Sequence, residues 1–431
     1  MNVNMDVGVA QIEVTPDVGI DLAGFAVRPQ PSTGVQDPLY ARALYLSDGA
    51  EKLLWLHGDL LSVSDVLADR IRSRVATQTG LDYSRIWIST THTHSGPATF
   101  PQNGTGRTDG SYVAWLEEQF QAAALLALKN PERCVMASVQ GRCDLGVDRR
   151  KRSSAHTDSR VGALAWKRPD GSFKAVLLTY SMHPVCLRGA LISADWPGVT
   201  AKVLSDSLPG RPVALVLSGA CGNINPPSVG VEVDQVQQWG QQIAEAILPD
   251  LMRTPAESRP IDRPVLKVVG TSLKLDLEPW NAPEIDAFAM ASLSGAEGHR
   301  EFGAKFGEAV EAWRQTMKQR CLHNAPPYTQ AVMAIAIIGK TTLLAVNAEI
   351  FSKFTSLVTQ DLVDSTYAIG CTNGMIGYLP TREAYDEGAY EVEWSLFFYN
   401  LPRPRQGGCE RLAQYARALL NPATFSLNPK N

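Results

Sequence analysis

Ile86-Trp87-Ile88-Ser89-Thr90-Thr91-His92-Thr93-His94-Ser95-Gly96-Pro97 is an apolar run that ends at a turn, with two histidines two residues apart just before it. Residues i and i+2 of a strand point to the same side, so both imidazoles can enter one pocket at the strand's end. Ser-Gly-Pro then stops the strand. Imidazole is the commonest protein ligand for zinc, and strand ends opening into loops are where α/β proteins tend to place their sites. Spacing alone leaves a second reading open, in which either histidine is an ordinary hydrogen-bonded residue.

The rest of the chain sets the frame. At 431 residues it is long enough for a large core. Only 19% of residues are charged and the net charge is −4, with no basic run, which argues against nucleic acid as the main ligand. No stretch of about 18 apolar residues exists, so no transmembrane segment is expected. The start, Met1-Asn2-Val3-Asn4-Met5-Asp6, does not read as a signal peptide. Seven scattered cysteines without a CxxC pair fit reduced thiols. A cytoplasmic location is therefore expected.

Strand-like and helix-like stretches alternate. Val7–Val14, Ala41–Leu46, Lys52–Leu56, Val135–Leu145, Gly162–Trp166, Ala175–Ser181, Val213–Leu217, Val265–Leu277, Gln330–Ile338 and Thr341–Val346 read as strands, with turns at Asp48-Gly49 and at Pro169-Asp170-Gly171. Ser64–Thr79, Tyr112–Leu128, Val199–Leu208, Val233–Leu251, Glu301–Arg320 and Phe351–Val363 read as helices. A Pro/Gly-rich loop spans Pro16 to Pro38, and Glu278–Arg300 is a possible insertion. No internal repeat is visible. The mixture predicts a layered α/β fold around a mixed sheet in one domain over 1–431.

Four more stretches have the look of site pieces. His183 ends the run Tyr180-Ser181-Met182, before Pro184. Asp195 stands before a helix, where it would cap the helix or orient a histidine. Ser218-Gly219-Ala220-Cys221-Gly222-Asn223-Ile224-Asn225 is a small, glycine-rich turn whose amides could approach a substrate oxygen, or simply a tight connection. Glu349 lies where a strand meets a helix, placed to favour the helix start or to ligate a metal.

In this order the pieces resemble the catalytic domain of the neutral/alkaline non-lysosomal ceramidase family. Thr91-His92-Thr93-His94-Ser95-Gly96-Pro97 matches that family's signature closely, and His183 falls where its next site histidine lies. Ser193-Ala194-Asp195-Trp196-Pro197-Gly198 is similar to its S-x-D-N-x-G segment, and Glu349 with Phe351 to its G-E-F. Tyr378-Leu379-Pro380-Thr381-Arg382-Glu383-Ala384-Tyr385 resembles its Y-x-T-T-x-E-E-Y, with Tyr390-Glu391 following at the matching distance. The resemblance implies one zinc ion held by His92, His183, Glu349 and Tyr378. It implies a zinc-activated water as nucleophile, His94 as proton carrier or oxyanion partner, and Tyr390 as donor to the oxyanion. The family's site arginine corresponds to Arg149, with Arg150 and Arg152 competing for that place. Asp195 would lie behind the ligands.

Two departures shape the expectation. The family's G-D-V-S-P-N loop reads Gly222-Asn223-Ile224-Asn225-Pro226-Pro227 here, so Asn225 replaces a serine often considered catalytic. An acyl-enzyme on that residue is excluded, whereas water attack survives and Asn225 can still donate a hydrogen bond. The family's C-terminal β-sandwich is expected to be absent. Val392-Glu393-Trp394-Ser395-Leu396-Phe397-Phe398-Tyr399 stands in place of the usual continuation. Trp196, Trp394 and Phe397 are weighed as pocket aromatics or core. The expected activity is hydrolysis of an amide in a small or medium-sized molecule. An esterase or lactonase at the same site and a degenerate, non-catalytic binding protein are the alternatives.

Overall fold

In the computed structural model, residues 3–26, 28, 30–150, 155–254, 266–295, 298, 302–359 and 365–420 are described. Their secondary structure forms four layers: helices, a large sheet, a small sheet and helices.

The large sheet has eight strands in the spatial order Val213–Ser218, Phe173–Tyr180, Arg160–Lys167, Glu132–Arg142, Val3–Glu13, Tyr40–Ser47, Lys52–Gly58 and Ile86–Thr90. Both outermost pairs are parallel and every inner pair is antiparallel. Each half thus runs strand, strand, strand, helix, parallel strand, helix. The repeat invisible in the residues is present in the topology. Each parallel pair needs a crossover helix, Asp65–Thr79 in one half and Asp195–Ser207 in the other.

The first crossover shows why the sequence folds this way. Leu67, Ile71 and Val75 fall on one face and are buried, the Ser64 hydroxyl accepts from the Leu67 amide at 3.2 Å, and Gly80 ends the helix at φ 71°. Helices Asp65–Thr79 and Gly110–Lys129 cover one half of the outer face. Asp195–Ser207, Val233–Glu245 and Leu248–Arg253 cover the other. The single helix expected over Val233–Leu251 is broken in two. Pro249 has no N–H to give and its ring would strike the Glu245 carbonyl, so the chain restarts at Leu248.

The inner face packs on a four-stranded sheet, Leu266–Asp276, Tyr328–Ile338, Thr341–Val346 and Ser365–Ile369. Trp55, Trp87, Leu215 and Leu217 meet Ala334, Leu343, Tyr367 and Ile369 there in one dry core. Lys353–Thr359 and Gly408–Leu420 close the far side. The stretch weighed as an insertion forms helix Ala282–Ser294, which Asn281 and Glu284 start with a reciprocal capping box. It packs with Ala304–Leu322 and Ser395–Tyr399 in an aromatic cluster around Phe306, Trp313 and Phe397.

The eight-stranded sheet curls until its two outermost strands touch. Buried His57 joins them: its Nδ1 lies 2.9 Å from the Ser89 hydroxyl, and its ring bonds the Val216 backbone. The loops after both edges therefore open onto one place.

Candidate active site

His92 follows the edge strand Ile86–Thr90, and His183 follows Phe173–Tyr180 in the other half of the sheet. Each donates from Nδ1 to a backbone carbonyl, His92 to Leu61 at 2.8 Å and His183 to Ile224 at 3.2 Å. These contacts orient both rings so that each Nε2 faces Glu349. His92 holds a positive φ of 66°, a conformation uncommon for a residue with a side chain and kept here by the carbonyl contact.

Glu349 meets them from the small sheet's side. Its Oε2 is 2.9 Å from His183 Nε2 and 3.1 Å from His92 Nε2. The second contact is off the direction of a hydrogen bond, so His92 Nε2 is buried without one. Tyr399 donates to the other oxygen, Oε1. The two-residue strands Glu349–Ile350 and Tyr378–Leu379 pair in parallel with Glu349 opposite Tyr378. The Tyr378 ring stacks on His183 at 6.4 Å between centroids. His92, His183, Glu349 and Tyr378, far apart in the chain, are thus brought together.

His94 joins the same group. The ring nitrogens of His92, His94 and His183 converge within 4.8 Å, the spacing of a metal-binding set. Neither nitrogen of His94 has a hydrogen-bond partner, although both are shut off from solvent. Gly24 lies flat against this ring: at φ +92° it has space only for hydrogen, since a Cβ would sit 2.5 Å from the imidazole. Phe25 contacts the ring edge-on at 5.2 Å. Arg28 donates to the carbonyls of Ala23 and His94, tying that loop to the histidine.

Burial, with His92 and His183 nearby, pushes His94 well below the usual histidine range, so its imidazole is neutral. His183 is brought down to about 4, mainly by burial. Burial opposes charge on Glu349 and on His92 alike, but His92 and His183 outweigh it for Glu349, and Cys371 together with Glu349 outweighs it for His92. The carboxyl is held well below its usual range and His92 well above. A fully buried carboxylate requires a cation beside it. A metal ion among these donors would supply that cation. The donor set, imidazole nitrogens and a carboxylate oxygen, suits a borderline cation such as zinc.

Arg149 organises the opposite wall. It pairs with Glu391 at 2.7 Å, donates to Asn225 Oδ1 at 3.3 Å and to the Gly222 carbonyl at 2.8 Å, and packs over the rings of Tyr378 and Tyr390. Arg150 is engaged with Asp148 and Glu387 and lies over Phe351. Arg149 is thus the arginine that touches the tyrosines, and Arg152 lies outside the described residues. These walls enclose a cavity of about 530 Å³ reached by His94, Glu349, Tyr378, Tyr390, Asn225 and Tyr399.

Several expectations need correction. Asp195 is the first residue of its helix and not the cap, and among the described residues no hydrogen bond joins it to the site histidines. Ala194 holds the cap position without a side-chain bond, and the Asp195 carboxylate accepts from the amides of Leu187 and Trp196. Backbone carbonyls orient His92 and His183 instead. Four amides of the glycine-rich turn, those of Gly219, Cys221, Gly222 and Ile224, are spent on backbone carbonyls. Gly222 is there because a Cβ would meet the Glu349 carbonyl at 2.7 Å. Of the aromatics weighed as pocket or core, Trp196 and Phe397 are core, as the second reading has it, and Trp394 packs beside Phe302 and Phe306. Phe25, Phe302 and Phe398 line the cavity in their place. Sequence reasoning also missed Tyr399, Gly24 and Arg28. Gly24 carried a faint signal, as a glycine inside the Pro/Gly-rich loop, and Tyr399 carried none.

Residues 5–123 match the family profile described as neutral/alkaline non-lysosomal ceramidase, N-terminal. The resemblance read from the sequence is to this family. Among solved structures, the chain is similar to a ceramidase complexed with C2, at a TM-score of 0.71 and 14% identity over 97% of this chain and 75% of that one. It is similar also to the neutral ceramidase from Pseudomonas aeruginosa, at a TM-score of 0.70 and 14% identity over 97% and 74%. The ceramidase fold therefore extends across nearly the whole chain, while the profile match covers its N-terminal part. No helix among the described residues is long and apolar enough to cross a membrane.

Proposed function

We propose that this protein is a zinc-dependent hydrolase that cleaves an amide bond of a small or medium-sized molecule. The observation that carries the reading is the floor of the cavity, where imidazole nitrogens without protein partners surround a buried, anionic Glu349. His92, His183, Glu349 and Tyr378 are the proposed zinc ligands. Bound there, zinc supplies Lewis acidity toward a carbonyl and makes water acidic near neutral pH.

The chain's own residues do the rest. Neutral His94 can take a proton at a ring nitrogen and return it to the leaving amine. Tyr390 and the Asn225 amide face the cavity, where their donors can stabilise charge on the carbonyl oxygen. Arg149 holds Asn225 by its Oδ1, which leaves the Nδ2 donor free to point inward, and its charge lies over both tyrosines. Tyr399 secures Glu349 Oε1 and so leaves Oε2 as the oxygen nearest the histidines. The Asn225 side chain is no nucleophile, so the reading needs water as the attacking group. Free thiols at Cys134, Cys143, Cys186, Cys221, Cys371 and Cys409, all buried, support a reducing compartment such as the cytoplasm.

The convergence of three imidazoles favours one competing arrangement, with His94 as a ligand and Tyr378 outside the set. Metal analysis of His94→Ala separates the two. Retained stoichiometric zinc with kcat lost supports a proton-carrying His94; loss of zinc makes His94 a ligand. The activity itself is tested by hydrolysis of N-acyl compounds with and without a chelator. Activity untouched by chelation would remove the zinc reading altogether.

A further inference from the structure

We propose that the substrate is an N-acyl amino acid or a close analogue, whose free carboxylate is held by Arg188 at the cavity mouth. The inference rests on the amidase reading and deepens it.

Charge in the cavity points to the anion. Arg149 is neutralised by Glu391 at 2.7 Å, and Arg150 by Asp148 at 2.9 Å and Glu387 at 3.4 Å. Glu349 is engaged by the histidines. Arg188 lines the same cavity, is exposed, and has neither an ion pair nor a hydrogen bond among the described residues. It is a guanidinium with all its donors free, and a carboxylate matches that planar fork with two parallel hydrogen bonds.

The layout of rings sets the substrate's direction. Arg188 lies over Phe25 at 6.0 Å, and Phe25 touches His94 at 5.2 Å, so one arm of the cavity leads from the free cation to the proposed proton carrier. The other arm is aromatic: Phe302 packs on Tyr390 at 5.8 Å and on Phe398 at 5.0 Å, and all three reach the cavity. The leaving amine must lie beside the group that protonates it, on the His94 arm. The acyl part then lies along Phe302 and Phe398, where its chain is desolvated. Phe25 stands between Arg188 and His94, 6.0 Å from Arg188 and 5.2 Å from the His94 ring, so an amine fragment that runs along this ring from His94 to Arg188 carries its anion a few bonds from the nitrogen, as an α- or β-amino acid does.

The test uses the purified full chain with its metal and two hydrolysis-resistant probes, N-hexylsulfonylglycine and N-hexylsulfonylethanolamine, which differ in carboxylate against hydroxyl. Calorimetry should show the glycine probe binding at least about tenfold tighter. That preference should shrink as ionic strength rises and disappear in Arg188→Gln. Equal binding of the two probes, no binding of the glycine probe, or a preference that survives Arg188→Gln overturns the subsite. Hydrolysis of N-hexanoylglycine and N-hexanoylethanolamine is followed in parallel. If neither is cleaved while the binding preference holds, the amidase reading fails and the carboxylate subsite stands. If both are cleaved at equal kcat/KM and the probes bind equally, the reading stands and the subsite fails.

Discussion

The floor and the roof of the cavity are built by different means. The floor comes from strand ends of the large sheet: His92 and His183 sit on opposite halves of a doubled topology, each locked by a backbone carbonyl from its own half, Leu61 or Ile224. The roof comes from short helices, Tyr390–Glu393 and Ser395–Tyr399, packed on the aromatic cluster of Ala282–Ser294 and Ala304–Leu322. A floor held by backbone geometry is suited to holding a metal. A roof held by side-chain packing can change its lining without disturbing the sheets. Tyr399 joins the two, since it is the roof residue whose hydroxyl secures the floor's carboxylate.

The contrast is open to attack, first at the floor. His92→Ala should lower activity by at least about a thousandfold, because ligand loss removes the Lewis acid itself, and elemental analysis should find the zinc gone. Full zinc with full activity in that variant would remove His92 from the site. Gly24→Ala should come next. The added Cβ meets the His94 ring at 2.5 Å from a backbone at φ +92°, and displacing a reacting group by about an ångström costs roughly a hundredfold in rate. Steady-state kcat beside a thermal melt checks this, and a large loss in kcat with zinc retained is the expected pattern.

Tyr399→Phe probes the join. With Oε1 of Glu349 left without its donor, zinc affinity should fall by roughly ten- to a hundredfold, read by chelator competition. Unchanged affinity would mean that the roof contributes nothing to the floor. The smallest effect lies beneath the floor. Asp37 accepts from Ser193 and from the Ala194 amide, and burial raises its pKa to about 6. A carboxyl raised on folding binds its proton more tightly in the folded state. Its contribution to stability is therefore full below the unfolded value, roughly 4, and is lost as pH climbs toward about 6. By denaturant titration, the stability lost between pH 4 and pH 7.5 should be larger in wild type than in Asp37→Asn by on the order of 2 kcal/mol.

How much of this was legible beforehand follows the same division. The crossover helix Asp65–Thr79 was readable because its apolar spacing, its serine cap and its closing glycine are all local signals. The histidine pair was readable because a strand's two-residue period is local as well. The break before Pro249 was legible in principle but lost to a continuous apolar pattern. Tyr399 was not legible, because a tyrosine at a helix end looks the same whether it faces solvent, core or a carboxylate fifty residues away in sequence. Asp195 shows the other side of this: its place in a site-like motif is local, but that its carboxylate accepts from the amides of Leu187 and Trp196 could not be read from it.

By itself, the sequence determined the layered α/β class, most strands and helices, and the residue types of a candidate metal centre, because periodicity, capping and turn chemistry act over a few residues. Only the tertiary structure decided that the eight-stranded sheet curls until its outermost strands touch, and that Glu349 and Tyr378 share one register. It also decided which aromatics reach the cavity, where Phe25 lies beside Arg188, and which, such as Trp196, stay in the core. Those facts depend on contacts between segments distant in the chain, whose positions are set by how whole layers pack against one another and not by any local preference.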